Sequence, residues 1–253
     1  MAIIFPYLYK STGSVPIVTW ADGTDAEIAA MIAAADAGKI TLSDYWSVGD
    51  ERTVHLDAIT AGDAFTTAMA AQDVVLVLMD TGTQSGYVDV NDNPVNFVVG
   101  QKDCLSEYGR MNTTSTNTGS WNGCAMRTDL NNKYYNALPA TFKSCLKQFK
   151  TITATEYEAS TVTTSNDYVA LFAEKEVFGS RSYSNPTEAN ALSQIEYYET
   201  KANRKKKRSD SNAHWLGRSP ANVYPQYFCA VNTSGGYSID SSADTTISPF
   251  MCI

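Results

Sequence analysis

Between Thr24 and Lys39 the stretch TDAEIAAMIAAADAGK carries apolar side chains at helical spacing, with Thr24 or Asp25 placed to cap its start and Gly38 to end it. The pattern predicts a helix. Beyond Lys39 the period shortens to two: DYWSVGDERTVHL alternates around the turn-like Gly49-Asp50, which predicts a hairpin. DVVLVLMD is a continuous β-branched run of the kind found in strands buried on both faces, and VNFVVG predicts another strand.

The middle of the chain loses this periodicity. GRMNTTSTNTGSWNG holds one charge and many small polar residues, so a long loop is expected there. DLNNKYYNALPATFKSCLKQF has helical character on both sides of Pro139, which suits the first turn of a second helix. Short strands are predicted at TITAT, STVTT and YVALF, followed by an amphipathic helix over Thr187 to Glu199. Helices and strands come in groups without regular alternation, so the fold class is α+β rather than a doubly wound sheet. The expected organisation is an N-terminal segment with a helix at 1–40 and one larger domain at 41–253.

Composition narrows the classes. At 253 residues and 43% hydrophobic the chain can bury a large core. Its net charge is -8, and six of its 19 basic residues lie in KANRKKKR, Lys201 to Arg208, leaving 13 against 27 acidic elsewhere, or -14. An acidic body of this kind repels nucleic acid, and the basic run reads as a solvated loop after a helix. Apolar runs such as Val74 to Met79 are far shorter than the ~20 residues a membrane helix needs. MAIIFPYLYK has neither a basic start nor a small-residue cleavage site, so no signal peptide and cytoplasmic synthesis are expected.

Catalytic signatures are scarce. Phosphate-binding glycine loops, HExxH and GxSxG are all missing. Cys104, Cys124, Cys145, Cys229 and Cys252 form no CxxC pair, so structural thiols are expected, with Cys229 and Cys252 buried in apolar terminal strands. A nucleophile pair of Cys229 and His214 is conceivable, but Cys229 sits in the apolar run YFCAV and a third orienting group cannot be named. Asp89, Asn91, Asp92 and Asn93 cluster oxygens without the calcium-loop pattern, so a surface turn is expected. SWNGCAMR reads as a packed corner. No catalytic residue, metal or cofactor is assigned.

The segments SDYWSVGDERTVHL, FVVGQKDCLSEYGRMN, GSWNGCAMR, NNKYYNALPATF, KQF, YVALFAEKEVFGS, EYYETKANR, RSP, YFCAVN and PFMCI, in this order, resemble an uncharacterised domain family. That family is common in phage and prophage tail-associated proteins of gut Gram-positive bacteria. The resemblance spans about Trp20 to Ile253 and implies a C-type-lectin-like fold, in which terminal strands form a scaffold and loops present a ligand. Leu216, Gly217, Ile247 and Met251 depart from the pattern, which would alter the binding face if they help to shape it.

Some such domains are diversified by retroelements that randomise adenines in Asn codons, leaving codons that never encode Lys, Glu, Gln, Met or Trp. Ala221 to Ser248 departs from that set only at Gln226, and an ordinary Ser/Thr-rich surface would have a similar composition. The ligand-binding candidates are Asn222, Tyr224, Tyr227, Asn232, Thr233, Tyr237, Ser238 and Asp240: tyrosines give rigid contact area and the short polar residues adaptable hydrogen bonds. The expectation is a non-enzymatic receptor-binding protein or adhesin on a virion tail or cell surface, with a cell-surface protein or glycan as partner. The rivals are a structural tail or baseplate subunit and an enzyme on the formylglycine-generating variant of the fold. Oligomeric state is not legible.

Overall fold

Thr24 caps the first helix as its sequence predicts. α1 (Asp25–Asp36) opens with a full capping box, in which Thr24 accepts from the Glu27 amide and Glu27 accepts from that of Thr24, and Gly38 ends it at φ 67°. The computed structural model describes residues 15–241 and 245–253, so the expectations for the first fourteen residues lie outside it. Ile28, Met31 and Ile32 of α1 pack into the same hydrophobic core as the strands, against the Trp20, Trp46 and Phe142 rings.

Eleven strands occur among the described residues. They are β1 (Glu51–Leu56), β2 (Gln72–Thr81), β3 (Phe97–Gln101), β4 (Phe149–Ala154), β5 (Val162–Asp167) and β6 (Lys207–Arg208). β7 (Ser211–Asn212), β8 (Trp215–Pro220), β9 (Tyr227–Val231), β10 (Tyr237–Ser241) and β11 (Phe250–Cys252) complete them. Small antiparallel sheets with orders β1-β2-β3-β11 and β10-β9-β8, and the hairpins β4-β5 and β6-β7, make a mixed α+β architecture. The last strand therefore returns to the first sheet, and the Phe250 ring stacks on Phe172 at 4.2 Å in the centre of the core.

Four predicted elements come out differently. The strand before Gly49 does not form: Trp46 is drawn toward α1, its Nε1 donating to the Val18 carbonyl at 2.9 Å, and β1 pairs instead with β2. YVALF is a buried irregular segment rather than a strand. Its backbone makes an isolated bridge at Ala170 with Phe250 and gives the Phe172 carbonyl to the Arg218 amide, while side chains take other groups, with Asn131 Oδ1 accepting from the Tyr168 and Val169 amides and Arg218 donating to the Leu171 carbonyl. The long helix over Thr187 to Glu199 shrinks to Pro186–Asn190, because the Ile195 amide turns to the Glu176 carbonyl and that of Glu196 to Asp80. The basic run is not wholly solvated either. Lys206 is fully buried, donating to the Gln101 carbonyl at 2.5 Å beneath the Tyr198 and Trp215 rings, and burial pulls its pKa down to about 8.

Other expectations hold. Pro139 caps a short helix, Ala140–Lys143, and a π turn at Leu130–Tyr134 precedes it. SWNGCAMR is a packed corner in which Trp121 and Arg127 both donate to buried Asp167. Asp89 accepts from the Asn91 and Asn93 amides in a surface turn. All five cysteines are free and buried.

At the junction of β8, β4 and the helix Glu174–Phe178 lies a buried polar network. Arg218, fully buried, makes a two-pronged pair with Glu176 at 2.7 Å per contact, and Tyr87 donates to the same carboxylate. A register shift between Leu216 and Pro220 re-aims β8 here. Only glycine fits inside it, since a Cβ at Gly217 would stand 2.6 Å from the Phe172 carbonyl oxygen. Glu188 joins from the helix Pro186–Asn190, accepting from Ser219 and from the Ala154 amide.

Burial pushes the Glu188 pKa from 4.5 up to about 7, against hydrogen bonds and the Arg218 charge that favour ionisation. The folded chain thus binds more protons than the unfolded chain between those values, and stability falls as pH rises through the window, by roughly 3 kcal/mol in all. Asp80, raised by burial to about 6, adds a fall of the same sign. In thermal denaturation from about pH 5 to about pH 8, Glu188→Gln should show a clearly shallower decline than the parent, with Asp80 supplying the remainder. Parallel profiles would refute the assignment.

Candidate functional site

Four loops rich in Ser, Thr, Asn and Tyr meet at the β8 to β9 turn: residues 112–119, 155–161, 180–185 and 221–226. Asparagine side chains join them. Asn117 Nδ2 donates to the carbonyls of Ala221, Tyr224 and Tyr227 at 3.4, 3.2 and 3.0 Å, while its own amide donates to the Pro225 carbonyl at 2.7 Å. Asn222 Oδ1 accepts from the Glu158 amide at 2.9 Å, and the Asn222 amide donates to the Tyr183 carbonyl at 2.6 Å. Asn185 Nδ2 donates to the Ala159 carbonyl at 2.5 Å.

The loop 180–185 is tied in turn to the buried network. Glu174 accepts from the amides of Ser182, Tyr183 and Ser184, all within 3.1 Å, and its own amide donates to Ser219. The loops therefore sit on a fixed base. Outward from it stand Thr113, Ser115, Thr118, Glu156, Ser160, Val223 and Tyr224, all exposed. Tyr224 is the most open large apolar side chain among the described residues, at 52% exposure, and meets Tyr227 edge to face at 5.4 Å.

The sequence-predicted residues do not form one patch. Asn222, Tyr224 and Tyr227 belong to the loop face, whereas Asn232, Thr233 and Tyr237 surround the β9 to β10 turn at the far end of β9, roughly 15 Å away. Ser238 and Asp240 lie along β10, the sheet's edge strand, and Asp240 is 3.3 Å from His214 Nδ1. Several have structural work. Asn232 Oδ1 accepts from the amides of Ser234 and Gly236 and shapes the turn, which Gly235 completes at φ 75°. The Tyr237 ring stacks on Phe178 at 3.9 Å and its hydroxyl meets Ser180. Thr233 is exposed at the tip.

Asn117, Asn185, Tyr157 and Glu158 belong to this face and were missed by the sequence reading. Their signal is the loop composition of NTTSTNTG, TEYEAST and RSYSNP, which shows polarity but not convergence. Leu216, Gly217, Ile247 and Met251 are all buried, so they contribute to packing and not to the exposed face.

Cys229 is buried in β9, burial holds its thiol well above the usual range, and His214 engages Asp240. That environment is the reverse of an activated thiolate. Among the described residues no group of three or more His, Cys, Asp or Glu could hold a metal ion, and no helix is long and apolar enough to cross a membrane.

Equilibrium denaturation should separate framework from display residues. Tyr237→Ala should cost about 2 to 3 kcal/mol for the lost stacking and burial. Asn117→Ala should cost about 2 kcal/mol, because buried carbonyls lose their donor. Tyr224→Ala and Thr233→Ala should stay within about 0.5 kcal/mol of the parent. A neutral Asn117→Ala would show that the loops are not held by that side chain.

The comparisons with known proteins bear on the scaffold beneath this face. A family model described as a domain of unknown function, DUF6273, matches residues 74–253, from β2 through β11 and including all four loops. No curated protein and no solved structure matches. Since the matched span is well over half of the chain and contains both the buried network and the loop face, the protein belongs to the DUF6273 family.

Proposed function

We propose that the protein is a non-enzymatic ligand-binding module, a receptor-binding or adhesin-type protein whose binding face is the four-loop surface around Tyr224. The observation that carries this reading is the convergence of four polar loops, joined by Asn117, Asn185 and Asn222, on one exposed aromatic side chain. Loops ordered before binding lose little entropy on complex formation, and an exposed tyrosine offers an anchor.

The scaffold beneath is a C-type-lectin-like fold in this proposal. Two features support it: the last strand returns to pair beside β3, and long ordered loops lie between strands. The placement that accompanies it is a phage tail or cell surface, with a cell-surface protein or glycan as the partner. Cys229 lends no support to the enzyme alternative.

The test compares the parent with Tyr224→Ala and with the triple variant Tyr224→Ala, Thr113→Ala, Ser115→Ala, on cell-surface glycan and protein arrays and in adsorption to Gram-positive cells. Melting temperatures should be unchanged, and Tyr224→Ala should weaken binding by about 2 kcal/mol, the cost typical of an interface anchor. Undiminished binding by the folded triple variant would move the site off this face. Loss of self-association instead would identify the face as a subunit interface.

A further inference from the structure

Away from the loop face, a cleft of about 400 Å³ opens between the β6 to β7 hairpin and the segments holding Tyr108 and Thr245. Its lining is mixed, with Ser211, Asn212, His214, Thr245 and Thr246 offering polar groups beside Ala213, Tyr108 and Arg208. Its floor is anchored on both sides. Gly109 bridges Thr245, Thr246 bridges Trp215, and the Thr246 hydroxyl donates to the His214 carbonyl.

Among the described residues lining this cleft, Arg208 is the only arginine or lysine, and it is held ready. Its guanidinium stacks 3.9 Å over the Tyr108 ring, and Nε donates to the Ser106 carbonyl at 2.7 Å. Those two contacts set the plane and rotation of the group while engaging neither Nη1 nor Nη2. No carboxylate among the described residues lies within ion-pair distance of Arg208, whereas Arg52, Arg127 and Arg218 each have one. A guanidinium fixed in plane, with its terminal fork unengaged, has the geometry that pairs two N–H donors with the two oxygens of a carboxylate.

We propose that this cleft binds a small carboxylate-bearing ligand, its carboxylate taken by the Nη1 and Nη2 fork of Arg208 and its body by the hydroxyl and amide groups of Ser211, Asn212 and Thr245. The charge is that of a monoanion. Among the described residues one arginine and no lysine lines the cleft, while Asp240 sits 3.3 Å from His214 Nδ1, Glu107 and Asp210 adjoin Tyr108 and the hairpin turn, and Asp103 accepts from the Lys207 amide, so a phosphate dianion meets more repulsion than a carboxylate. A volume of this size lies within the range of small-ligand sites. The proposal shares no residue with the loop face and does not rest on the function proposed for it.

The test titrates the full chain with sodium benzoate and sodium glucuronate, with benzamide and glucose as neutral counterparts and inorganic phosphate as the dianion, at fixed low ionic strength. Saturable binding of at least one carboxylate is expected, with amide resonances of Ser211, Asn212, Thr245 and Thr246 shifting in backbone NMR. Arg208→Gln should weaken binding at least tenfold, and Arg208→Lys, which keeps the charge without the fork, by nearly as much. Tyr108→Leu should weaken it several-fold through loss of the stacked platform. The proposal is overturned if no carboxylate saturates, if the neutral counterparts or phosphate bind as well, or if Arg208→Lys retains parental affinity in a folded protein. Glucuronate binding without benzoate binding would place the ligand among sugar acids, and the converse among aromatic acids.

Discussion

The pairing of Arg218 with Glu176 is the interaction on which the rest of the architecture hangs. Arg218 reaches from β8 into a fully buried position and meets a carboxylate from the helix Glu174–Phe178, the Leu171 carbonyl and the Tyr87 hydroxyl. A buried charge is tolerated only when nearly every donor and acceptor around it is used, and removing one partner costs about 3 to 5 kcal/mol. The pair therefore sets the relative positions of β8, that helix, and the irregular segment ending at Phe172. The register shift in β8 and the missing Cβ at Gly217 are the backbone conditions that let Arg218 point inward.

The loop face inherits its order from this base. Ser219, next to Arg218, bonds Glu188 and receives the Glu174 amide, and Glu174 holds the turn at 182–184. Asn222 and Asn117 extend the chain of hydrogen bonds outward to three further segments. The outer links, Asn117 and Asn222, are short amides with few rotamers to lose, so they pass order outward at smaller entropic cost than the buried Glu174 and Glu188 beneath them. The Arg208 cleft stands on a different support, a hairpin of two-residue strands and two isolated bridges, and its arginine is positioned by an aromatic face and a backbone carbonyl instead of a carboxylate.

The C-terminal composition shows why decoration alone misassigns roles. Tyr, Ser and Asn between Ala221 and Asp240 look uniform in sequence, yet Asn232 closes a turn, Tyr237 fills a gap beside Phe178, and the Tyr224 side chain projects to solvent. The same residue types serve turns, packing and display equally well, because all three need compact side chains with a polar end. Phe228 and Phe250 are both buried, but so are Cys229, Ala230 and Met251 beside them, so burial in these strands does not alternate, and in the loops there is no period at all.

What the sequence determined by itself were the features governed by neighbours in the chain. These were the capping box and Gly38 stop of α1, the strands at Val74 and Phe97, a helix beginning beside Pro139, the Asp89 turn and the burial of Cys229 and Cys252. Local sterics and hydrophobic period act over a few residues, so a linear reading reaches them. Tertiary structure alone decided that YVALF would be irregular, that the helix after Thr187 would stop at Asn190, that Lys206 would be buried, and that four distant loops would meet at Asn117 and Asn222. Each of those outcomes depends on a polar partner tens of residues away, from the Asn131 amide to the Gln101 carbonyl. A buried backbone or charged group takes whichever partner the packed core brings within hydrogen-bond reach, and that choice has no periodicity to read.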